Sequence, residues 1–206
     1  MFEMHFKEAL IDAAESWQID PPDHVWALLE KEYVSKKRHY HTFQHLEACY
    51  QQLVPVLTNF KSKEALLFAL AFHDYIYKVP GNHNEELSAE AAIAFLKRYA
   101  VASAHLEWID SAIRKTKTHD YSHDESINLF TDADMAILGA EASIYIRYKH
   151  AVRKEYALYP DFLYKPGRKK VLQAFLEKPR IYHTSYFYDK FEKQARSNIA
   201  AEIATL

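Results

Sequence analysis

Glycine is unusually scarce in this chain, occurring at only three of the 206 positions: Gly81, Gly139 and Gly167. A β-rich fold of this length needs glycine turns at short intervals and alternating runs of β-branched residues, and the chain has neither. A glycine-rich phosphate-binding loop is excluded for the same reason. The sequence therefore predicts an all-α protein.

Apolar residues recur every three to four positions through most of the chain, which predicts amphipathic helices. Asp23, Thr42 and Ser62 each stand where a side chain can cap the helix that follows. The polar stretch 119–126 is predicted to be irregular, and 132–139 to be a short helix closed by glycine. The predicted helices cover approximately residues 4–18, 25–33, 42–56, 62–73, 86–99, 103–117, 132–139, 142–159, 167–176 and 186–203.

The composition is that of an ordinary globular protein, with 49% hydrophobic and 26% charged residues. We expect one domain over 1–206, with a core at about 20–140 and a helical extension at about 141–206. A net charge of -2 gives no reason to expect nucleic-acid or membrane binding through bulk charge, although a local basic patch stays open. The single cysteine, Cys49, excludes an intrachain disulfide and favours a cytoplasmic location.

Three short segments carry metal-binding residue types. His41 and His45 are four apart, which predicts that they share one face of a helix. His73 closes the apolar run 65–72 and is followed by Asp74, and a charge buried there needs a partner or a metal. Asp134 lies further along the chain. Imidazoles and carboxylates bind divalent metals, so we expect these segments to converge.

Two choices within this set depend on context. The pair His-Asp also occurs at 119–120 and 123–124, but in a polar loop, whereas His73 and Asp74 follow an apolar helix. In the segment 132–134, Asp132 suits a helix N-cap. Asp134, one turn further among apolar neighbours, is the better candidate ligand.

The ordered set His45, His73-Asp74 and Asp134 resembles the HD superfamily of metal-dependent phosphohydrolases. His41 and His45 also resemble a cyclic-nucleotide phosphodiesterase motif, in which the first histidine donates a proton and the second binds metal; Thr42 replaces its asparagine. Most of the chain resembles a bacterial group of predicted HD phosphohydrolases, through RHYHTFQH, FHDYIY, NEELSA, DADMAILG and ARSNIAAEI.

The resemblance implies an HD-like helical bundle with additional C-terminal helices, and metal-dependent hydrolysis of a nucleotide or other small phosphorylated metabolite. Two imidazoles and two carboxylates favour Mn, Fe, Co, Ni or Zn, and a second site for Mg stays open. The expected ligands are His45, His73, Asp74 and Asp134. His41, Asp74 and Glu85 are the expected catalytic residues, and the expected substrate contacts are Arg38, Lys117, His119 and Arg153.

Two other classes of protein stay open. A di-iron oxygenase on the same scaffold would need further histidine ligands, which His83 and His119 could supply. A non-catalytic metal- or nucleotide-binding module is the other alternative. No nucleic acid or membrane partner is expected, and a homodimer is left open.

Overall fold

The structure, a computed structural model, describes residues 5–206, which contain ten α-helices, two 3-10 helices and no strand. The predicted all-α class is therefore confirmed. Residue 4, where the first helix was predicted to begin, lies outside the described residues. The helices are α1 (His5–Ser16), α2 (His24–Tyr33), α3 (Phe43–Leu53), α4 (Lys63–Phe72), α5 (Asn84–Leu96), α6 (Ser103–Lys115), α7 (Glu125–Asp134), α8 (Ala142–Glu155), α9 (Asp161–Glu177) and α10 (Ser185–Ile203), with 3-10 helices at Val54–Asn59 and Met135–Gly139.

Two of the three predicted N-caps form. The hydroxyl of Thr42 accepts a hydrogen bond from the backbone N–H of Gln44 and caps α3. The hydroxyl of Ser62 accepts one from the N–H of Ala65 and caps α4. Asp23 occupies the N-cap position of α2, but its side chain makes no capping bond. The starts of α3 and α4 are thus fixed by local sequence.

The described chain divides into two compact units, the first ending at Thr131. Within this unit α4 packs against α1, α3, α5 and α6. Every residue from Ala65 to Phe72 is buried. Full burial of one leucine or phenylalanine contributes about 1.5–3 kcal/mol, so α4 is held firmly and its C-terminal end is a rigid place for His73.

The second unit is Asp132–Leu206, and in it α10 packs against Met135–Gly139 and α9. A Cβ on Gly139 would lie 2.5 Å from the Cβ of Phe191 and 2.7 Å from its carbonyl oxygen. Gly139 does not have a positive φ. The 3-10 helix does end at Gly139, as predicted, but without a left-handed glycine; glycine is needed there because two backbones approach closely.

Three helices differ most from those predicted. Residues 125–134 form α7, whereas a polar irregular stretch and a helix beginning at Asp132 were expected. The Oδ1 of Asp124 accepts a hydrogen bond from the N–H of Ser126 at 2.9 Å and so supplies the missed cap. Helix α8 ends at Glu155 rather than 159. Helix α9 begins at Asp161 and continues through Pro166 instead of starting at 167.

The division into units falls between residues 131 and 132, whereas the sequence suggested an extension from about 141. A single domain over the whole chain stays a prediction. No helix among residues 5–206 is both long and apolar enough to cross a membrane.

Candidate metal centre

His45 is brought to the site by the first turn of α3, on the buried side of the helix. Its Nδ1 lies 3.6 Å from the Sγ of Cys49, one turn further along the helix, within the range of a hydrogen bond to sulfur. The same Sγ lies 3.8 Å from Nε2, so Cys49 contacts both ring nitrogens, and the Nε2 of His45 also faces His73 at 3.2 Å.

His73 stands at the C-cap of α4. Its Nδ1 lies 2.9 Å from the carbonyl oxygen of Leu70. A carbonyl oxygen can only accept, so Nδ1 carries the proton and donates it in this bond. In its neutral form the ring therefore presents a lone pair at Nε2, which is the orientation that metal-binding histidines commonly have.

Three donor atoms converge from α3 and the end of α4. The Nε2 atoms of His45 and His73 are 3.2 Å apart. The Oδ2 of Asp74 lies 3.1 Å from the Nε2 of His73 and 3.5 Å from that of His45. The two histidine side chains are 2% and 1% exposed, whereas Asp74 is 19% exposed. The group is thus buried, with limited access on the side of the carboxylate.

The distances between the three donor atoms fit one metal ion bound by all of them. With metal–ligand bonds of about 2.0–2.2 Å, ligand atoms at right angles lie about 3 Å apart and tetrahedral ones about 3.4 Å apart. Without a cation, two imidazole lone pairs and a carboxylate oxygen would face one another. A proton on one ring nitrogen can be shared between its two neighbours at most, whereas a metal ion contacts all three donor atoms. The residues His45, His73 and Asp74 can therefore hold a metal ion.

The carboxylate of Asp74 is held in its ionised form. Burial by itself would raise the pKa of Asp74, but the positive charges of protonated His73, His41 and His45 and a hydrogen bond from His73 outweigh that effect, and His73 contributes most. The resulting pKa lies well below the ordinary range of an aspartate. Asp74 is therefore available as an anionic ligand at neutral pH.

Arg38 ties the segment before α3 to the segment after α4. Its guanidinium donates to the backbone carbonyls of His41 at 3.1 Å, Asp74 at 2.7 Å and Tyr75 at 2.8 Å. It also lies 4.5 Å from the ring centroid of Tyr33. Arg38 is buried, and these bonds hold the backbone on both sides of the site. Its predicted contact with substrate phosphate stays a prediction.

His41 precedes the Thr42 cap, so the prediction that it shares a helix with His45 is wrong. The chain nevertheless brings the two rings to 5.8 Å between centroids. The His41 ring stacks on Tyr77 at 4.2 Å, and its backbone carbonyl is held by Arg38. The extended backbone at the cap, rather than helical spacing, therefore positions His41.

The motif NEELSA supports the loop after Asp74. Asn84 bonds the backbone of Lys78 through both ends of its amide, at 3.2 and 3.0 Å. The hydroxyl of Ser88, buried in α5, accepts from the N–H of Ile76 at 2.9 Å. The sequence analysis did not predict these contacts of Asn84 and Ser88 with the loop. The signal for them was an Asn and a Ser four residues apart at the start of a helix. Glu85 is half-buried in the same turn, and its catalytic role stays a prediction.

Two predicted substrate contacts lie near the start of α5 and the end of α6. The ammonium of Lys117 donates to the carbonyl of Asn82 at 2.9 Å and forms an ion pair with Glu86. His119 has a φ of 48°, in the left-handed region, and its ring is half-buried. Their contact with a substrate stays a prediction.

Asp132 does not cap a helix that starts at 132, because α7 continues through it. Its fully buried carboxylate accepts hydrogen bonds from the N–H of His183 at 2.9 Å and from the N–H and hydroxyl of Thr184 at 2.8 and 2.7 Å. Burial raises the pKa of Asp132, and these hydrogen bonds oppose the rise. Thr184 is the N-cap of α10, so Asp132 anchors the start of that helix.

Two further predicted site residues belong to the second unit. Asp134 is the last residue of α7 and is half-buried. Its role as a fourth ligand stays a prediction. Arg153 binds the carboxylate of Asp161 and the carbonyls of Tyr156 and Tyr159, so it shapes the turn after α8. Its contact with a substrate also stays a prediction.

The fold and this geometry define an all-α protein with a His-His-Asp group that can hold a metal ion. The chain matches no protein-family model, no curated protein and no solved structure. Membership of the HD superfamily therefore stays a prediction that rests on the residues and motifs of the sequence itself.

Proposed function

We propose that this chain is a metal-dependent hydrolase of phosphate esters, related to the HD superfamily, that acts on a nucleotide or other small phosphorylated metabolite. The observation that carries the proposal is the convergence of two imidazole nitrogens and a carboxylate oxygen at 3.1–3.5 Å. Mixed nitrogen and oxygen donors suit Mn, Fe, Co, Ni or Zn. Such an ion, when bound, supplies Lewis acidity and a water of lowered pKa.

The residues of the chain orient the ligands and leave a path for the substrate. His73 is fixed by its bond to Leu70, so it presents Nε2 without reorganisation. Asp74 adds the negative charge, and Arg38 holds its backbone carbonyl. The partial exposure of Asp74 gives a small polar substrate a direction of approach. Asp134 completes the proposed ligand set.

His41 is the proposed proton donor to the leaving group. Its ring lies 5.8 Å from that of His45, close to the ligands without being one of the three converging donors. Stacking on Tyr77 fixes the plane of the ring. Protonation of a departing alkoxide by a positioned imidazolium is typically worth about 10²–10⁴-fold in rate.

The first experiment measures metal content and hydrolysis together. Chelation should abolish hydrolysis of phosphomonoesters, cyclic nucleotides or nucleoside polyphosphates, and Mn, Co, Ni or Zn should restore it to differing extents. His73→Ala and Asp74→Ala should lose bound metal and activity together. His123→Ala is the matched control, because His123 also precedes an aspartate but is exposed. Two bound irons with oxygen consumption would support the oxygenase instead, and metal-independent hydrolysis would refute the proposal.

A second experiment isolates His41. His41→Ala should keep its metal while kcat falls. The loss should be large for an alkyl phosphate, whose leaving group needs protonation, and much smaller for p-nitrophenyl phosphate, whose leaving group does not. Equal losses for both esters, with metal bound, would refute the role of proton donor and leave His41 as a binding or positioning residue.

A further inference from the structure

The turn between α8 and α9 and the first turn of α9 present large apolar side chains to solvent. Leu158 is 76% exposed and Phe162 is 75% exposed, and these are the most exposed large apolar side chains among the described residues. Leu163, next to Phe162, is 53% exposed. Single exposed apolar residues are common, but three within six positions form a local cluster, and clustered exposed apolar side chains are typical of interaction surfaces.

This turn has a defined conformation. The guanidinium of Arg153 donates to the carbonyls of Tyr156 and Tyr159 at 2.9 and 3.0 Å. It also forms an ion pair with Asp161 at 2.7 Å and lies 4.5 Å from the ring centroid of Tyr164. The backbone of the turn is therefore held by its own contacts.

The same segment is strongly basic. Residues 153–170, here named the basic turn, contain six Lys and Arg against two acidic residues. One of those acids, Asp161, is paired with Arg153, and the other, Glu155, is buried. Arg168 is paired with Glu202. The remaining charge stands on four lysines that form no ion pair within residues 5–206, namely Lys154, Lys165, Lys169 and Lys170.

Helix α9 aligns the apolar and basic side chains. Lys169 follows Phe162 by seven residues, and Lys170 follows Leu163 by seven, so each pair lies on one side of the helix. Seven residues span about 10 Å along a helix. All four side chains belong to exposed residues. The apolar groups thus stand at the N-terminal end of α9 and the ammonium groups two turns further along the same sides.

We propose that the basic turn docks this protein on an anionic lipid surface. Leu158 and Phe162 enter the interface, and the lysines lie against the headgroups. A turn that directs apolar side chains outwards suits a deformable surface, and a rim of lysines complements anionic lipid. The net charge of -2 for the whole chain gives no sign of the basic turn, because acidic residues elsewhere in the sequence offset the charge of its lysines.

The test is co-sedimentation of the full chain with vesicles of phosphatidylcholine, with and without phosphatidylserine. We expect binding only to the phosphatidylserine vesicles, and weaker binding at high salt. Leu158→Ser with Phe162→Ser should weaken it by about tenfold or more for each side chain. Lys169→Gln with Lys170→Gln should weaken it by about fivefold for each charge. All four positions are exposed, so the variants should fold, which circular dichroism checks.

Matched controls separate the basic turn from bulk properties. Leu87→Ser removes another exposed leucine, beside Glu85 and Glu86, and should bind like the wild type. Lys61→Gln with Lys63→Gln makes the same change in net charge on exposed residues of the other unit and should also have no effect. No binding to anionic vesicles, or binding that the basic-turn variants leave unchanged, overturns the proposal. Dimerisation in lipid-free solution through Leu158 and Phe162, without vesicle binding, also overturns it.

Discussion

The carboxylate of Asp132 offers a sharp test, because the sequence suggested a simple helix cap and the structure shows an anchor. It receives three hydrogen bonds from His183 and Thr184, 51 and 52 residues further along the chain. Leaving one buried donor unpaired costs about 1–3 kcal/mol. Asp132→Ala leaves three donors unpaired, but it also removes the cost of burying a carboxylate, so we expect a loss of about 4 kcal/mol in the free energy of unfolding.

Asp132→Asn is a milder change at the same position, because it keeps the shape of the side chain. One of its two terminal atoms becomes an N–H₂ donor, and every neighbour at this site is itself a donor. The amide orients its oxygen towards Thr184, which supplies two of the bonds, and its nitrogen towards the N–H of His183. We expect a loss of about 2 kcal/mol. For a chain of this size that lowers Tm by about 4–8 °C.

Urea and thermal unfolding followed by far-UV circular dichroism measure both variants. Asp189→Asn is the control, because Asp189 is exposed on the same unit, and it should stay within about 0.5 kcal/mol of the wild type. Metal content is measured on the same samples and should be unchanged in Asp132→Asn. Wild-type stability in Asp132→Ala would refute the anchoring argument. Loss of metal there, with metal retained in Asp134→Ala, would show that Asp132 rather than Asp134 is the ligand.

Two further predictions concern the contacts of Arg38 and Arg168. Arg38→Lys cannot reach all three carbonyls, so metal affinity measured by competition dialysis should fall about tenfold or more; unchanged affinity with a raised KM would instead support the predicted contact with substrate. Burial raises the pKa of Glu202, but the hydrogen bond and charge of Arg168 outweigh it and the pKa is lowered. The ion pair of Glu202 with Arg168 therefore contributes stability that is complete above the unfolded-state pKa of about 4.3. This contribution is lost as pH falls through the folded-state pKa. Glu202→Gln should therefore cost about 3 kcal/mol at pH 7, and urea unfolding should show the difference shrinking below about pH 4; a difference that does not change with pH would contradict this assignment.

Local sequence determined most of the helices and part of the candidate site. Thr42 and Ser62 cap their helices because a side-chain hydroxyl two or three residues before an N–H needs no partner elsewhere in the fold. The apolar run 65–72 predicted a buried helix, and burial follows directly from composition. The prediction that His45 and His73-Asp74 would meet rested on residue types, since few buried positions accept two imidazoles and a carboxylate without a shared role.

Tertiary structure decided what each polar side chain does, because hydrogen-bond partners far apart in the chain leave no local signal. Arg38 could be read as a phosphate contact, yet two of its acceptors lie 36 and 37 residues away. Asp132 could be read as a cap for its own helix, yet it anchors the start of α10. His41 lies near His45 although the cap at Thr42 separates it from the helix. Spacing along a sequence predicts proximity only within one regular element; beyond it, packing of the whole unit sets the distance.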